Sequence, residues 1–386
     1  MSAPPKDQPA DARQHFREQG YLLVRDVFDP VADLEPLKRA YTRLLHALGP
    51  SFLLGSPFAA NFPQRPTAEC LAILGGATGG RVFDHLDPNL RLRARDAGYR
   101  PELPSAQLPE FFELMRHEQL LNQLEMLVGP EISCSPAFHT NIKFNGELTN
   151  LAQMAAQSSG VRNGPDGVEF ASFYTGEDTP WHTDNHNSLV GMSNNLVTAW
   201  IPMEHANEAT SHLVLRAGSH RQSGGRAGPT ASDPIPVIAR PGDVLFFDNE
   251  LQHSASSNQN AKHARWAVNF RYLPTGEPTG RPHLPGFVAR SRSKPESELH
   301  DGYTWQAMWG AALAHLRWYD FPPTPLGQCS ARWATKVRRR TLPPNAEPKD
   351  WLALQPRRPL HTLRRVLPAA IERIAHRLKN RLKVKA

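Results

Sequence analysis

The 386-residue chain contains only three cysteines, Cys70, Cys134 and Cys329. Three widely spaced cysteines do not make a disulfide framework or a zinc ribbon, so we expect a reducing, cytoplasmic setting. The chain also lacks an apolar run of membrane-spanning length, and its polar N-terminal residues have no signal-peptide core. No internal repeat of solenoid length is present. These absences exclude small secreted scaffolds, helical membrane proteins and repeat arrays.

Basic residues are unevenly distributed. Residues 331–386 contain sixteen Lys and Arg but three Asp and Glu, whereas the rest of the chain has more acidic than basic residues. An acidic body argues against a protein that binds nucleic acid over its whole surface. Between Leu360 and Leu382 the basic segment has an amphipathic helical pattern. Two interpretations stay open: weak contact with an anionic membrane surface, or an ordinary helix packed on the body or on a partner. The second is favoured because Pro368 interrupts the helix.

Short runs of β-branched and aromatic residues alternate with turn residues from about 131 to 275. This pattern predicts a mainly β fold with peripheral helices, built as a sandwich or barrel. Residues 49–110 lack clean periodicity and are predicted to form long loops, as are residues 145–168. Helices are predicted for three further segments, 29–48, 111–129 and 303–319. We place one domain at 14–285 and a helical, basic extension at 286–386.

The segment PWHTDNHNS contains a histidine and an acid two positions apart, His182 and Asp184. In a strand such residues point to the same side, and two histidines with one carboxylate are the ligand set of non-haem Fe(II) oxygenases. A second histidine must then come from a distant strand. His253 is the best candidate, because it follows the buried strand in PGDVLFFDNELQHS.

An arginine follows His253 at the start of ARWAVNFRY. The guanidinium of Arg265 is suited to bind a carboxylate through two hydrogen bonds, such as the far carboxylate of 2-oxoglutarate. Arg271 lies six positions further along the same predicted strand and competes for this role. The residues alone leave both arginines open for this role.

These motifs resemble the phytanoyl-CoA dioxygenase family of Fe(II)- and 2-oxoglutarate-dependent oxygenases. The resemblance rests on FREQGYLLVRDVF, WHTDNH, LVTAWIPM, AGSHR, GDVLFFDNELQHSASSN and ARWAVNFRY, and it covers roughly residues 14–275. It implies a double-stranded β-helix, a jelly-roll-like pair of sheets. It further implies that His182, Asp184 and His253 bind Fe(II) and act in catalysis, and that Arg265 anchors 2-oxoglutarate, with O2 as the other co-substrate. By the same resemblance Lys143 and Trp200 contact the co-substrate.

The sequence departs from the family at one turn, because the segment 207–212 (NEATSH) lacks the usual glycine. Asp184 stands where halide-binding members have Gly or Ala, so hydroxylation is favoured over halogenation. The nearby His186, His205, His212, His220 and His263 are interpreted as surface or packing residues, with His186 the best candidate to support a ligand. Trp305 and Trp309 are interpreted as helix-packing residues rather than a cap on the pocket.

The predicted function is hydroxylation of a small organic molecule, such as a secondary metabolite, lipid or sugar intermediate, with release of succinate and CO2. Desaturation, ring formation and epimerisation use the same cofactors and stay open. The alternative from another class is a catalytically inactive metal-binding β-sandwich with a regulatory or structural role. That alternative requires Arg265 or Lys143 to face solvent. No nucleic-acid partner is expected.

Overall fold

The computed structural model describes residues 9–80, 82–86, 108–161, 178–184, 193–221, 233–260, 263–282, 284–316 and 342–354. The strands in these ranges are β1 (Tyr21–Val24), β2 (Glu131–Cys134), β3 (His139–Lys143), β4 (Thr179–His182), β5 (Val197–Pro202), β6 (Leu213–Leu215), β7 (Ile235–Val237), β8 (Val244–Asp248), β9 (His253–Ala255), β10 (Arg265–Pro274) and β11 (Phe287–Ser291). The helices are α1 (Pro9–Gln19), α2 (Glu35–Phe52), α3 (Thr67–Thr78), α4 (Phe83–Leu86), α5 (Pro109–Met115), α6 (Glu118–Val128), α7 (Gly146–Ser158), α8 (Gly302–Leu316) and α9 (Pro348–Leu352).

The strands form two antiparallel sheets. The main sheet has the order β1-β8-β5-β10-β2-β11, and β3 pairs with the first half of β10 while β2 pairs with its last residues. The second sheet has the order β4-β9-β6-β7. This pair of sheets, with helices on the outside, confirms the predicted double-stranded β-helix with peripheral helices.

Strands β5 and β8 of the main sheet have apolar residues on both faces, because both faces are covered. On β5, Ala199 and Ile201 pack into the cluster shared with the helices, whereas Trp200 packs into the cluster between the two sheets. On β8, Phe246 packs into the cluster shared with the helices, and Phe247 packs into the cluster between the two sheets. Successive side chains of a strand point to opposite faces, so alternate residues of these strands line the interior that contains the site.

The outer face of the main sheet is covered by helices that include α8. Its residues Trp305 and Trp309 are each 1% exposed, and the ring of Trp305 lies 5.7 Å from Phe112 and 6.2 Å from Phe138, measured between centroids. The two tryptophans are therefore core residues, which agrees with their interpretation as helix-packing residues.

We expect Trp305→Ala to lower the free energy of unfolding by about 3–5 kcal/mol, because it leaves a cavity in this aromatic cluster. Tyr303 is 83% exposed in the same helix and is the matched control, where alanine should change stability by less than about 0.5 kcal/mol. Urea unfolding of both variants measures the difference. Equal midpoints for the two variants would contradict the assignment of α8 to the core.

Two segments predicted as loops contain helices. Helix α3 lies within residues 49–110, and it was missed because it is buried and apolar around its circumference, with no 3.6-residue alternation to recognise. Helix α7 lies within residues 145–168 and begins at Asn145, whose side chain accepts a hydrogen bond from the Leu148 amide. The two helices cross at Gly76, where an added Cβ would lie 1.9 Å from the carbonyl oxygen of Ala152. Only glycine permits this approach.

Other boundaries also differ from expectation. The helix predicted for 111–129 is two helices, α5 and α6, separated at Arg116 and His117. Strand β11 lies within the segment 286–386, which was predicted to be a helical extension, and it pairs with β2 at the edge of the main sheet. The division into 14–285 and 286–386 stays a prediction.

Part of what the sequence predicts lies outside the described residues, namely the basic amphipathic segment 360–382 and His186. Among the helices that the structure describes, none is both long and apolar enough to span a bilayer.

Candidate metal centre

Two strands of the second sheet bring the metal-ligand candidates together. His182 ends β4 and His253 begins β9, and the two are direct register partners across these strands. Asp184 follows two positions after His182. One ligand atom from each of His182, Asp184 and His253 lies within 4.8 Å of the others. The structure therefore brings together all three residues that the sequence singled out.

Each histidine is oriented by a backbone carbonyl. Nδ1 of His182 lies 2.8 Å from the Pro180 carbonyl oxygen, and Nδ1 of His253 lies 3.0 Å from that of Leu251. A carbonyl only accepts hydrogen bonds, so each Nδ1 must carry the proton and donate. The Nε2 lone pair of each ring is then available to a metal ion, which is the usual arrangement of metal-bound histidines.

The electrostatics of the site keep Asp184 ionised and His253 neutral. Burial alone would raise the pKa of Asp184, but the charge of Arg271, with smaller effects of His253 and His182, outweighs burial and holds that pKa well below its ordinary value. Burial, together with His182, lowers the pKa of His253 to about 4 against the opposing effect of Asp184. At neutral pH the site thus offers a carboxylate and a neutral His253 imidazole.

Arg265 is a buried cation with spare donors. It is 2% exposed, and its Nε and Nη1 have no hydrogen-bond partner among the described residues. Its Nη2 lies 3.5 Å from Oγ of Ser211, at the limit of a hydrogen bond. Burial lowers the pKa of Arg265 to about 10, so it remains charged at neutral pH. A buried guanidinium with unused donors is suited to a carboxylate ligand.

Lys143 and Trp200 lie beside Arg265, as their predicted roles require. Lys143 on β3 is the register partner of Arg265, is 3% exposed, and donates from Nζ to Oγ1 of Thr179 at 2.8 Å. The ring of Trp200 lies 5.8 Å from Cζ of Arg265, and its buried Nε1 has no partner among the described residues. Contact of either residue with a co-substrate stays a prediction.

The turn at residues 207–212, which lacks the family glycine, is closed by side-chain hydrogen bonds. Ser211 takes the left-handed conformation with φ +84°, which favours glycine. The side chain of Asn207 accepts hydrogen bonds from the amides of Ala209 and Thr210, which closes the turn. Oγ of Ser211 donates to the Ser256 carbonyl at 2.6 Å, which ties the turn to the strand end beyond His253.

Three buried polar residues of the main sheet were not assigned to the metal site from sequence. Arg271 was considered only as a co-substrate anchor, but its Nη2 lies 3.0 Å from Oδ2 of Asp184. Thr198 donates to the same oxygen at 2.9 Å. Asn269 is buried between Arg265 and Arg271 on the same face of β10, and its Oδ1 has no partner among the described residues. The even spacing along β10 was the available signal for Asn269 and Arg271, whereas Thr198 lies on β5.

Some motif residues serve the fold instead. Asp243 of the PGDV motif is fully buried and accepts hydrogen bonds from Nη1 of Arg25 and from the amide of Arg240. Oγ of Ser219, from AGSHR, accepts a bond from the Gln252 amide. The motif residues thus hold β1 and the segment before His253 in place.

The donor set fits a non-haem Fe(II) ion. Two imidazole nitrogens and one carboxylate, with the remaining positions open, are the ligands of such an ion in oxygenases. The unused donors of Arg265 fit the second carboxylate of 2-oxoglutarate. The class defined by this fold and site is a double-stranded β-helix protein with a two-histidine, one-carboxylate metal centre.

The sequence profile described as phytanoyl-CoA dioxygenase matches residues 16–267, about two-thirds of the chain. The chain belongs to this family. Fe(II) is the metal of this family, and 2-oxoglutarate and O2 are its co-substrates, which agrees with the donor set in the structure.

The individual proteins that match this chain have low sequence identity to it or match only a short part of it. The dioxygenase andF of Emericella variicolor is 32% identical over 69 residues, which are 18% of this chain and 24% of that protein. The chain thus spans about a quarter of the length of this curated relative. Among solved structures, the apo form of the non-haem monooxygenase ThoJ has 12% identity and a TM-score of 0.47 over 75% of this chain and 86% of that one. The α-ketoglutarate-dependent carbocyclase SnoK from nogalamycin biosynthesis has 14% identity and a TM-score of 0.44 over 78% and 96%.

Proposed function

We propose that this chain is an Fe(II)- and 2-oxoglutarate-dependent dioxygenase that hydroxylates a small organic molecule and releases succinate and CO2. The observation that carries the proposal is the group formed by His182, Asp184 and His253, whose ligand atoms lie within 4.8 Å of one another. Membership of the phytanoyl-CoA dioxygenase family supports it.

The residues of the chain have separate tasks in this proposal. His182, Asp184 and His253 hold the metal, and their arrangement leaves the other coordination positions to co-substrates. Arg265 binds the far carboxylate of 2-oxoglutarate, with Lys143 and Trp200 beside it. When bound, iron with 2-oxoglutarate and O2 supplies the oxidising power, while the protein supplies orientation and a dry interior.

The alternative of an inactive metal-binding sandwich is not favoured. It requires Arg265 or Lys143 to face solvent, but these side chains are 2% and 3% exposed. A purely structural metal site would not explain why a guanidinium is buried on the same interior surface with two nitrogens that have no partner among the described residues, because such a charge is costly to bury. A carboxylate ligand removes that cost.

An anaerobic titration tests the proposal. Adding Fe(II) and then 2-oxoglutarate to the metal-free protein should produce the visible charge-transfer band of an iron-bound 2-oxo acid. The band should require both additions and should be missing in His253→Ala. If the folded wild-type protein gives no band, the inactive sandwich becomes the better interpretation.

Hydroxylation is tested against desaturation, cyclisation and epimerisation by product analysis after a substrate screen that detects succinate. Hydroxylation requires an oxygen atom from labelled O2 in the product. A product without that oxygen would reject hydroxylation but keep the cofactor assignment.

A further inference from the structure

The two oxygens of Asp184 have different surroundings. Oδ2 lies 3.0 Å from Nη2 of Arg271 and 2.9 Å from Oγ1 of Thr198. Oδ1 instead faces the other ligands and lies 4.0 Å from Nε2 of His253. The carboxylate is therefore held by one oxygen from the main sheet and presents the other to the metal position.

The two donors belong to one preformed unit. Thr198 on β5 and Arg271 on β10 are direct register partners in the centre of the main sheet. Thr198 is fully buried and Arg271 is 6% exposed. Nη1 of Arg271 also donates to the Ala137 carbonyl at 3.2 Å, which restricts the guanidinium further. Because sheet geometry sets the positions of both donors, the pair does not depend on a flexible loop.

We propose that Arg271 and Thr198 are positioning residues that restrict Asp184 to binding the metal through Oδ1 alone, and so preserve a coordination position for the 2-oxo acid. This inference rests on the proposed function. We call the two residues the carboxylate clamp.

The coordination geometry makes this restriction important. Carboxylates bind metal ions through one oxygen or through two. An octahedral ion with three protein ligands has three positions left, and a chelating 2-oxo acid and O2 need all three. If Oδ2 of Asp184 also bound the ion, the carboxylate would compete with the 2-oxo acid. Hydrogen bonds from a charged guanidinium and a hydroxyl to Oδ2 oppose that second contact.

Two variants remove the clamp without touching a ligand. Thr198→Val removes the hydroxyl at nearly constant volume, and Arg271→Met removes the guanidinium. Thr140→Val is the matched control for Thr198→Val. Oγ1 of Thr140 lies 3.4 Å from the hydroxyl of Tyr41, which belongs to the helices that cover the outer face of the main sheet. Arg290→Met is the control for the second, because Arg290 is 8% exposed and pairs with Glu125, away from the metal centre.

The measurement is the anaerobic titration of each iron-loaded protein with 2-oxoglutarate, accompanied by X-ray absorption of the iron. We expect the Kd for 2-oxoglutarate to rise about tenfold in Thr198→Val and more in Arg271→Met, since a hydrogen bond to a charged group is lost. Fe(II) affinity should stay within about threefold of wild type, because the second oxygen replaces what the clamp loses. The absorption data should show the short iron–carbon distance of a carboxylate bound through both oxygens before 2-oxoglutarate is added. Both controls should match wild type.

Other outcomes overturn the inference. Unchanged 2-oxoglutarate affinity in both clamp variants would show that Arg271 and Thr198 serve stability alone. Equal losses of Fe(II) and 2-oxoglutarate affinity would show that they hold Asp184 as a ligand but do not select one oxygen. If Arg271→Met fails to fold, Thr198→Val decides, with Arg271→Lys as a charged substitute. A wild-type protein without the charge-transfer band would instead reject the proposed function, before any variant is compared.

Discussion

Asp184→Ala will abolish Fe(II) binding and will also destabilise the metal-free protein, whereas His253→Ala will abolish binding at a smaller cost in stability. Either change removes one of the three proposed protein ligands, and the two that remain should not hold the ion. The difference arises because Asp184 is also the counter-ion of Arg271, and both side chains are 7% exposed. Breaking a buried ion pair by removing one partner costs about 3–5 kcal/mol.

Urea unfolding of the metal-free proteins and metal titration measure the two effects separately. The double variant Asp184→Ala/Arg271→Met is the decisive control, because it removes both charges and should recover much of the stability lost in Asp184→Ala. Neither protein should bind Fe(II). If Asp184→Ala is as stable as the metal-free wild type, the ion pair does not contribute as the structure indicates.

Arg265→Met will remove the preference for 2-oxoglutarate over 2-oxovalerate, which has the same length but ends in a methyl group. The wild-type protein should prefer 2-oxoglutarate strongly, because the unused donors of Arg265 bind its far carboxylate. Truncating one partner of a buried charge pair costs about 2–5 kcal/mol, so the Kd for 2-oxoglutarate should rise about 100-fold or more. The Kd for 2-oxovalerate should change by less than about threefold.

This comparison separates anchoring from metal geometry. Thr198→Val should weaken both 2-oxo acids equally, because the carboxylate clamp acts at the end they share. Arg265→Met should also be no less stable than the wild type without ligands, since it removes an unpaired buried charge. A preference that survives in Arg265→Met would move the anchoring role to Lys143, and Lys143→Met would then have to abolish it.

The cluster of two histidines and one aspartate was predictable from sequence because local spacing and chain order carry most of its signal. His182 and Asp184 are two positions apart at the end of a strand, and His253 follows a buried strand bounded by a recognisable turn. The function of Arg271 could not be predicted in this way. Its partner Asp184 belongs to a loop of the other sheet, and spacing along β10 shows only which face Arg271 shares with Arg265.

For the fold too, features with a local sequence signal were predictable, and features that lack one or that depend on long-range contacts were not. The short strands were predictable because alternating turns and β-branched runs are local signals. Helix α3 was not, because a helix apolar on all sides has no periodic pattern. Strand β11 was missed because its pairing with β2, far earlier in the chain, cannot be inferred from the surrounding prolines.

Strand β10 contributes both arginines and Asn269 to the interior, from alternate positions of one uninterrupted ten-residue strand. A slip of one residue reverses every side chain of a strand. A single-codon insertion or deletion within β10 would therefore reverse every side chain on one side of the change, and it could turn several of these residues towards the helices at once. A substitution would remove only one of them. Variation in substrate choice among homologues should thus come from the loops, while the length of this strand remains constant.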